Sequence, residues 1–93
     1  MIRVRVRYCA QANVAAGIAE EEITLDGPCA PADLIVQIAS AHGDELRRVL
    51  LDADGRPHAS VLLFVGEEQT SVNAREPLKD GDVIEILPPI SGG

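Results

Sequence analysis

The first strand-like segment alternates strictly between apolar and basic side chains. In IRVRVRY, Ile2, Val4, Val6 and Tyr8 fall on one face and three arginines fall on the other. This period of two predicts a β-strand with one buried and one solvated face. The segment EEEITLDG repeats the alternation with acidic residues, so an antiparallel pair would set arginines against glutamates. The alternative is that the arginine row binds an anion.

Helical spacing replaces this alternation in APADLIVQIASAHG, residues 30–43. Leu34, Ile35 and Ile38 form an apolar face, Pro31 suits a first turn and Gly43 suits a C-terminal end. This segment is the predicted main helix. The segment DELRRVLL predicts a short second helical piece, and the small-residue segment CAQANVAAGIA has room for one or two helical turns.

Three further strands are predicted in the last third of the chain. The apolar run from Val61 to Val65 is typical of a central strand, and a Gly-Glu-Glu turn leads from it to a short return strand. A proline-started loop and a tight turn at Asp80-Gly81-Asp82 precede a last strand from Val83 to Leu87.

The predicted order is strand, strand, helix, strand, strand, strand. One main helix with about five strands fits a small α+β domain, in which a mixed sheet is covered on one face by the helix. We expect residues 1–87 to form this domain and residues 88–93 to form a projecting tail. The expected core contact is that of Leu34, Ile35 and Ile38 with Val4, Val6, Ile84 and Ile86.

The last strands carry more apolar residues than one covered face can use. Both faces of the segment 61–65 are apolar. In the last strand, Ile84 and Ile86 fall on one face, and Val83 and Leu87 fall on the other. An excess of this kind predicts an exposed docking patch for a partner. The candidates are Val83, Leu87 and Phe64, of which Phe64 depends on the strand register.

Length and charge exclude several classes of protein. Ninety-three residues suffice for one domain. The net charge is −7, and all fifteen acidic residues lie after residue 19, so binding to a phosphate backbone is not expected. No apolar stretch approaches the roughly 18 residues of a membrane span, and no signal-peptide pattern is visible. The expected localisation is cytoplasmic, with no membrane partner.

Side chains arranged for catalysis are scarce in the sequence. Neither His42, at the predicted end of a helix, nor His58 lies in a metal-ligand spacing, so His42 is expected to complement the helix dipole. The serines lack a GxSxG context, and no glycine-rich phosphate loop is present. Cys9 and Cys29 form no CxxC motif and are expected to act as small hydrophobes. The chain is therefore not expected to be an enzyme by itself or to bind a metal.

The final segment, LPPISGG, has an unusual composition for a chain end. Pro88 and Pro89 cannot donate to a sheet ladder and favour an extended backbone, while Gly92 and Gly93 have no side chains. A stiff root with a slender tip suits delivery of the Gly93 carboxylate into another protein's active site. The alternative is an ordinary frayed terminus. The residues expected to contact the partner along this tail are Leu87, Pro88, Pro89, Ile90 and Ser91.

The order of these motifs is familiar from one protein family. IRVRVRYCAQANVAAG, APADLIVQIA, LLFVGEEQ and PLKDGDVIEILPPISGG follow one another along the chain. Together they resemble the MoaD/ThiS family of ubiquitin-like sulfur carriers. The most specific part is the final block, with its Asp-Gly-Asp turn, proline pair and terminal glycine pair. The resemblance implies the β-grasp fold, in agreement with the predicted element order.

The resemblance also implies a chemistry for the chain end. A MoeB/ThiF-like adenylating enzyme uses ATP to convert the Gly93 carboxylate to an acyl-adenylate. Sulfur from a persulfide donor, a cysteine desulfurase or a rhodanese, then displaces AMP and leaves a thiocarboxylate. The acting group is thus the chain end, Gly92-Gly93, and the carrier itself binds no cofactor.

Length and the proline pair favour the MoaD side of the family. This implies a role as the small subunit of molybdopterin synthase, with the large subunit as partner. Leu87 departs from the family pattern, because MoaD proteins often have an aromatic residue there, and the segment DELRRVLLDADGRP is closer to other carriers. The alternatives are a ThiS-like or cysteine-synthesis carrier, a protein modifier conjugated through Gly93, and a module that binds partners through its sheet face alone.

Overall fold

The structure, a computed structural model, describes residues 1–88 of the chain. It contains eight elements in the described part, in this order: β1 (Ile2–Tyr8), α1 (Gln11–Ala16), β2 (Glu20–Leu25), α2 (Pro31–His42), α3 (Asp44–Leu50), β3 (Leu62–Val65), β4 (Glu68–Thr70) and β5 (Val83–Leu87). Both short helical segments predicted from the sequence are therefore formed, in addition to the main helix.

The five strands form one mixed sheet in the order β2-β1-β5-β3-β4. β1 and β5 are parallel, and the other three pairings are antiparallel. A parallel pair needs a long crossover between its strands, and here the helices lie within that connection. β5 is the central strand, and β3 is interior because β5 and β4 flank it. This arrangement confirms the predicted five-stranded sheet of a β-grasp domain.

The core lies between the sheet and α2, as predicted. Ile35 and Ile38 of α2 are fully buried, and Leu34 is almost so. They belong to one apolar cluster with the inward-facing strand residues Val4, Val6, Ile84 and Ile86. Burying an aliphatic side chain of this size contributes about 1.5–3 kcal/mol to stability. The main helix therefore holds the sheet through the face that its spacing predicted.

Two short helices extend the cover over the same face of the sheet. Ala12 of α1 and Leu46 and Leu50 of α3 are fully buried in the cluster. Gly17 ends α1 at φ 77°, and its N–H donates to the Asn13 carbonyl at 3.0 Å. This left-handed conformation favours glycine, which has no Cβ to clash.

The opposite, outer face of the sheet is charged at one side. The β1–β2 register sets Arg5 opposite Glu22 and Arg7 opposite Glu20. Arg5 Nη1 lies 3.0 Å from Glu20 Oε1, and Arg7 lies 3.6 Å from Glu20 and 3.5 Å from Glu85. The predicted cross-strand charge pairing is therefore confirmed. Since these pairs are exposed, each contributes little to stability.

Candidate functional site

The chain leaves the sheet from its central strand. β5 ends at Leu87, and Ile86 is the last residue that pairs with β1, opposite Tyr8. The Cys9 N–H donates to the Ile86 carbonyl at 3.0 Å. Pro88 follows and is buried, and its ring nitrogen has no hydrogen to continue the ladder. We call this place, Leu87 and Pro88 beside Cys9, the tail root.

Most of the predicted tail lies beyond the tail root. The sequence analysis assigned the acting carboxylate to Gly93, with Gly92, Ser91, Ile90 and Pro89 leading to it. These five residues lie outside the described residues. The structure therefore describes where the tail begins and which surface surrounds that point.

An apolar patch lies on the outer face next to the tail root. Leu62 of β3 is directly opposite Leu87, and Phe64 is directly opposite Glu85. Phe64 therefore neighbours both Val83 and Leu87 diagonally across the two strands. Leu62 is 44% exposed, and the other three apolar side chains are partly exposed. We call Leu62, Phe64, Val83 and Leu87 the docking patch.

The three predicted patch residues share one face, and the structure adds a fourth. The register places Phe64 outward, the point that the sequence had left open. Leu62 was not among the predicted site residues. Its parity with Phe64 in the same strand was the signal that could have found it, since residues two apart in a strand share a face.

One charged side chain, that of Glu85, lies within the docking patch. Glu85 lies between Val83 and Leu87 along β5, and its carboxylate pairs with Arg7. Arg7 also pairs with Glu20. The docking patch is therefore an apolar surface that contains one carboxylate, which is paired with Arg7.

A polar cluster that the sequence analysis missed lies on the helix side of the sheet. The Tyr8 hydroxyl donates to the Glu21 carboxylate, and His42 Nε2 contacts the same Glu21 oxygen. The Tyr8 and His42 rings meet edge to face, with centroids 5.6 Å apart. Burial, together with the Glu21 carboxylate, raises the pKa of Tyr8 well above its usual value. The cluster joins the end of α2 to the β1–β2 hairpin.

The sequence analysis made a prediction for His42 but did not single out Glu21. His42 was predicted to complement the dipole at the end of its helix; it is the last residue of α2, and its ring also contacts Glu21. Glu21 shares its strand face with Ile23 and Leu25, which was the available signal for an acid turned toward the core. The contact itself joins residues 21 positions apart and could not be read from local spacing.

The two cysteines and the metal-ligating residue types are the remaining chemically reactive groups in the described part. Cys29 is buried, and burial, with the nearby Asp33 charge, raises the pKa of its thiol. Both cysteines are free thiols. Among residues 1–88, no group of three or more His, Cys, Asp or Glu is placed to hold a metal ion. Within the same range, no helix is long and apolar enough to cross a bilayer.

Comparison with known proteins gives the family. The model of the ThiS family matches residues 6–93. The "Molybdopterin synthase sulfur carrier subunit" of Chlamydomonas reinhardtii is 30% identical over 92 residues, which cover 99% of this chain and 100% of that protein. The match therefore runs through the domain and through the terminal glycine pair.

Solved structures agree with this assignment. A Pyrococcus furiosus protein proposed to be molybdopterin converting factor, subunit 1, superposes with a TM-score of 0.72 at 34% identity, covering 97% of this chain and 100% of the other. The Haloferax volcanii SAMP1 structure superposes with a TM-score of 0.81 over 98% of this chain and 99% of that one. Its identity is 22%, so this likeness shows the fold alone.

The carriers of this family are non-catalytic subunits. The fold, the family model and the full-length relative together identify the group. This chain belongs to the ThiS/MoaD family of ubiquitin-like sulfur carriers.

Proposed function

We propose that this chain carries sulfur as a thiocarboxylate on Gly93 and delivers it in molybdopterin synthesis, as the small subunit of a molybdopterin synthase. The observation that carries the proposal is the end-to-end similarity, at 30% identity, to the Chlamydomonas reinhardtii sulfur carrier subunit. The Pyrococcus furiosus structure, at 34% identity, supports the same pathway.

The chemistry follows from the limits of a carboxylate. A carboxylate is a poor electrophile until one of its oxygens becomes part of a good leaving group. A MoeB/ThiF-like partner would supply ATP and form the Gly93 acyl-adenylate. A persulfide from a cysteine desulfurase or rhodanese then attacks the carbonyl carbon, AMP leaves, and an acyl disulfide forms. A second thiol, the reductant, attacks the donor sulfur of this bond; the thiocarboxylate leaves, and the two thiol sulfurs become a disulfide.

The position of the tail root supports a function in which the domain binds the partner and the chain end carries the sulfur. Leu87 belongs to the docking patch, and it is also the last residue of β5, where it pairs with Leu62 of β3 directly before Pro88. A partner that binds the docking patch is therefore in contact with the residue from which the tail starts. Because β5 is held on both sides by β1 and β3, the starting point of the tail is set by the sheet.

The experiment uses the purified chain, an adenylating enzyme, ATP and a sulfur donor, with intact mass as the readout. We expect the wild-type mass to change by the replacement of one oxygen by one sulfur. Deletion of Gly93 should abolish the change, and Gly92→Val should reduce it strongly because a branched side chain narrows the path of the tip. Circular dichroism should show all three proteins equally folded, since a chain end contributes little to a core.

Two outcomes would contradict the proposal. If the protein without Gly93 still supports sulfur transfer, the chain end is not the carrier group. If the loaded protein fails to sulfurate a pterin precursor with the large subunit of molybdopterin synthase but serves a thiazole- or cysteine-forming enzyme, the carrier chemistry stands and the pathway is different.

A protein modifier would use the same activated carboxylate. In that case, cells would contain proteins linked through Gly93 to lysine side chains, and the thiocarboxylate would be a minor species. Immunoblots for conjugates, compared between the wild-type chain and the chain without Gly93, separate the two functions.

A further inference from the structure

The sequence contains a single lysine. Of its eight basic residues, seven are arginines, and the eighth is Lys79. This composition matters in a protein whose chain end is activated, because an acyl-adenylate reacts with amines. A lysine amine can lose its proton and attack a carbonyl, whereas the guanidinium of arginine keeps its proton in proteins. Apart from Lys79 and the N-terminal α-amine, the chain carries its positive charge on groups that do not become acylated.

Lys79 lies in the turn that leads into β5. Its N–H donates to Asp82 Oδ2 at 2.7 Å, and the Asp82 N–H donates to the Lys79 carbonyl at 3.0 Å. The turn is also tied to the start of β1: the Gly81 N–H donates to the Arg3 carbonyl, and the Arg3 N–H donates to Asp80, both at 2.8 Å. Lys79 is therefore fixed at the end of the sheet where β1 and β5 begin.

The activated group would leave from the opposite end of the sheet. β1 and β5 are parallel, so both starts lie at one end and the tail root lies at the other. From Asp82 to Pro88 the strand advances about 20 Å, at roughly 3.3 Å per residue. The five residues after Pro88 span at most about 17 Å when fully extended. To meet Lys79 of its own chain, the tail would have to reverse at the tail root and stay extended along the sheet.

The side chain of Lys79 faces solvent at an open groove. The residue is exposed, and no carboxylate among residues 1–88 forms an ion pair with its amine. Lys79 shares the groove with Glu76, Glu68 and Asp82. An incoming chain end from a second copy can therefore approach the amine from solvent.

We propose that Lys79 is the acceptor amine through which activated copies of this chain link to one another, while the fold keeps each copy from acylating itself. The proposal rests on the proposed activation of Gly93. In the step, the Lys79 nitrogen attacks the Gly93 carbonyl carbon of a second copy and forms an amide. The bond from that carbon to the phosphate oxygen breaks, AMP leaves with the electron pair, and the amine proton passes to solvent.

The test activates Gly93 without any partner. The chain is prepared as a C-terminal thioester through an intein fusion, with the exposed α-amine of Met1 blocked by acetylation because it would also be acylated. It is incubated at mildly alkaline pH and then treated with hydroxylamine, which cleaves thioesters but leaves amides. Tandem mass spectrometry maps every amide formed. We expect wild-type protein to give dimers linked from Gly93 to Lys79 and no internal amide. Lys79→Arg should lower the dimer yield about tenfold or more, a change equivalent to about 1.4 kcal/mol.

Two matched variants test whether position along the sheet decides the outcome. Arg7→Lys and Arg3→Lys introduce an amine on the same strand and the same outer face, but Arg7 pairs with β5 near the tail root and Arg3 lies at the end near Lys79. We expect an internal amide, seen as a cyclic monomer, only in Arg7→Lys. Circular dichroism checks that both variants fold.

Several results would overturn the inference. A cyclic monomer closed on Lys79 in the wild type, equal cyclisation of Arg3→Lys and Arg7→Lys, or undiminished dimers in Lys79→Arg would each do so. A second arm uses the adenylating enzyme and ATP in place of the thioester. If this enzyme leaves Gly93 unactivated while the thioester forms Lys79-linked dimers, the proposed activation fails and the assignment of the acceptor amine is supported.

Discussion

The two faces of the sheet use alternate residues of the same strands for different purposes. On the helix-covered face, Val6, Leu63 and Ile86 are completely buried. On the outer face, Leu62 and Leu87 lie one position away from these residues and remain partly exposed. The side chains are chemically alike, so the difference comes from what covers them. Apolar character alone therefore does not separate a core residue from a docking residue; the position of the helices does.

The charged residues show the same contrast. On the outer face, Arg5 and Arg7 form ion pairs that remain in contact with water. On the covered face, Glu21 is partly buried, and one oxygen of its carboxylate accepts a hydrogen bond from Tyr8 and contacts His42. The following predictions test this contrast, starting with the largest expected effect.

Truncating a side chain in the core between α2 and the covered face of the sheet should destabilise the domain most. Ile38→Ala should lower the free energy of unfolding by about 2–5 kcal/mol, because it leaves a cavity at a fully buried site. Chemical denaturation measures the change. Val36→Ala is the matched control on the same helix, since Val36 is 38% exposed, and its effect should be much smaller. Equal losses in both variants would show that the covered face was wrongly assigned.

Removing the Tyr8 hydroxyl should have the next largest effect. Tyr8→Phe keeps the ring but takes away a hydrogen bond to a carboxylate, which contributes about 1.5–3 kcal/mol. Urea denaturation at neutral pH measures the loss. If the variant is as stable as the wild type, the cluster does not hold α2 to the β1–β2 hairpin.

The same cluster predicts a dependence on alkaline pH. Folding raises the pKa of Tyr8, so the folded state favours the protonated hydroxyl. The corresponding stability is fully present below the ordinary tyrosine pKa of about 10 and is lost as the pH rises above it. Because the chain has one tyrosine, tyrosinate absorbance reports this group alone. We expect ionisation to accompany unfolding, and Tyr8→Phe to flatten the decline.

A charge placed in the docking patch should affect binding more than folding. Leu87→Asp should weaken binding to the adenylating partner by about tenfold or more, because the contact would bury an unpaired carboxylate in an apolar surface. Val14→Asp serves as the control, because Val14 is 79% exposed on α1, away from the outer face. Calorimetric titration gives the affinity. Unfolding of the Leu87→Asp protein would instead assign Leu87 to the core.

Removing an ion pair on the outer face should have the smallest effect on the free energy of unfolding. Arg7→Gln removes contacts with Glu20 and Glu85 and should cost about 0.2–1 kcal/mol in low salt. The loss should shrink at high salt, because screening already weakens exposed pairs. Arg3→Gln is a fitting control, since the Arg3 side chain forms no ion pair among residues 1–88. A large, salt-independent loss would mean that Arg7 packs as part of the core.

Sequence patterns recovered the fold wherever the signal was local. The alternation in β1, the apolar face of α2 and the turn at residues 80–82 each depend on neighbours a few positions apart, and each was found. The sequence named Phe64, Val83 and Leu87 for the docking patch but could not say whether Phe64 faces outward. The register settles that point and adds Leu62, which has the parity of Phe64 and lies opposite Leu87. Whether a partner binds there stays a prediction.

The sequence by itself determined which residues alternate, which spacing is helical, that the terminal segment has a proline root and a glycine tip, and that a single lysine is present. These properties follow from local sterics and from the order of side chains. Only the tertiary structure decided that β1 and β5 pair in parallel, that Tyr8 meets Glu21 and His42, and that Lys79 lies at the end of the sheet opposite the tail root. Such contacts join residues far apart in the chain, so their register is set by the burial of one face of the whole sheet.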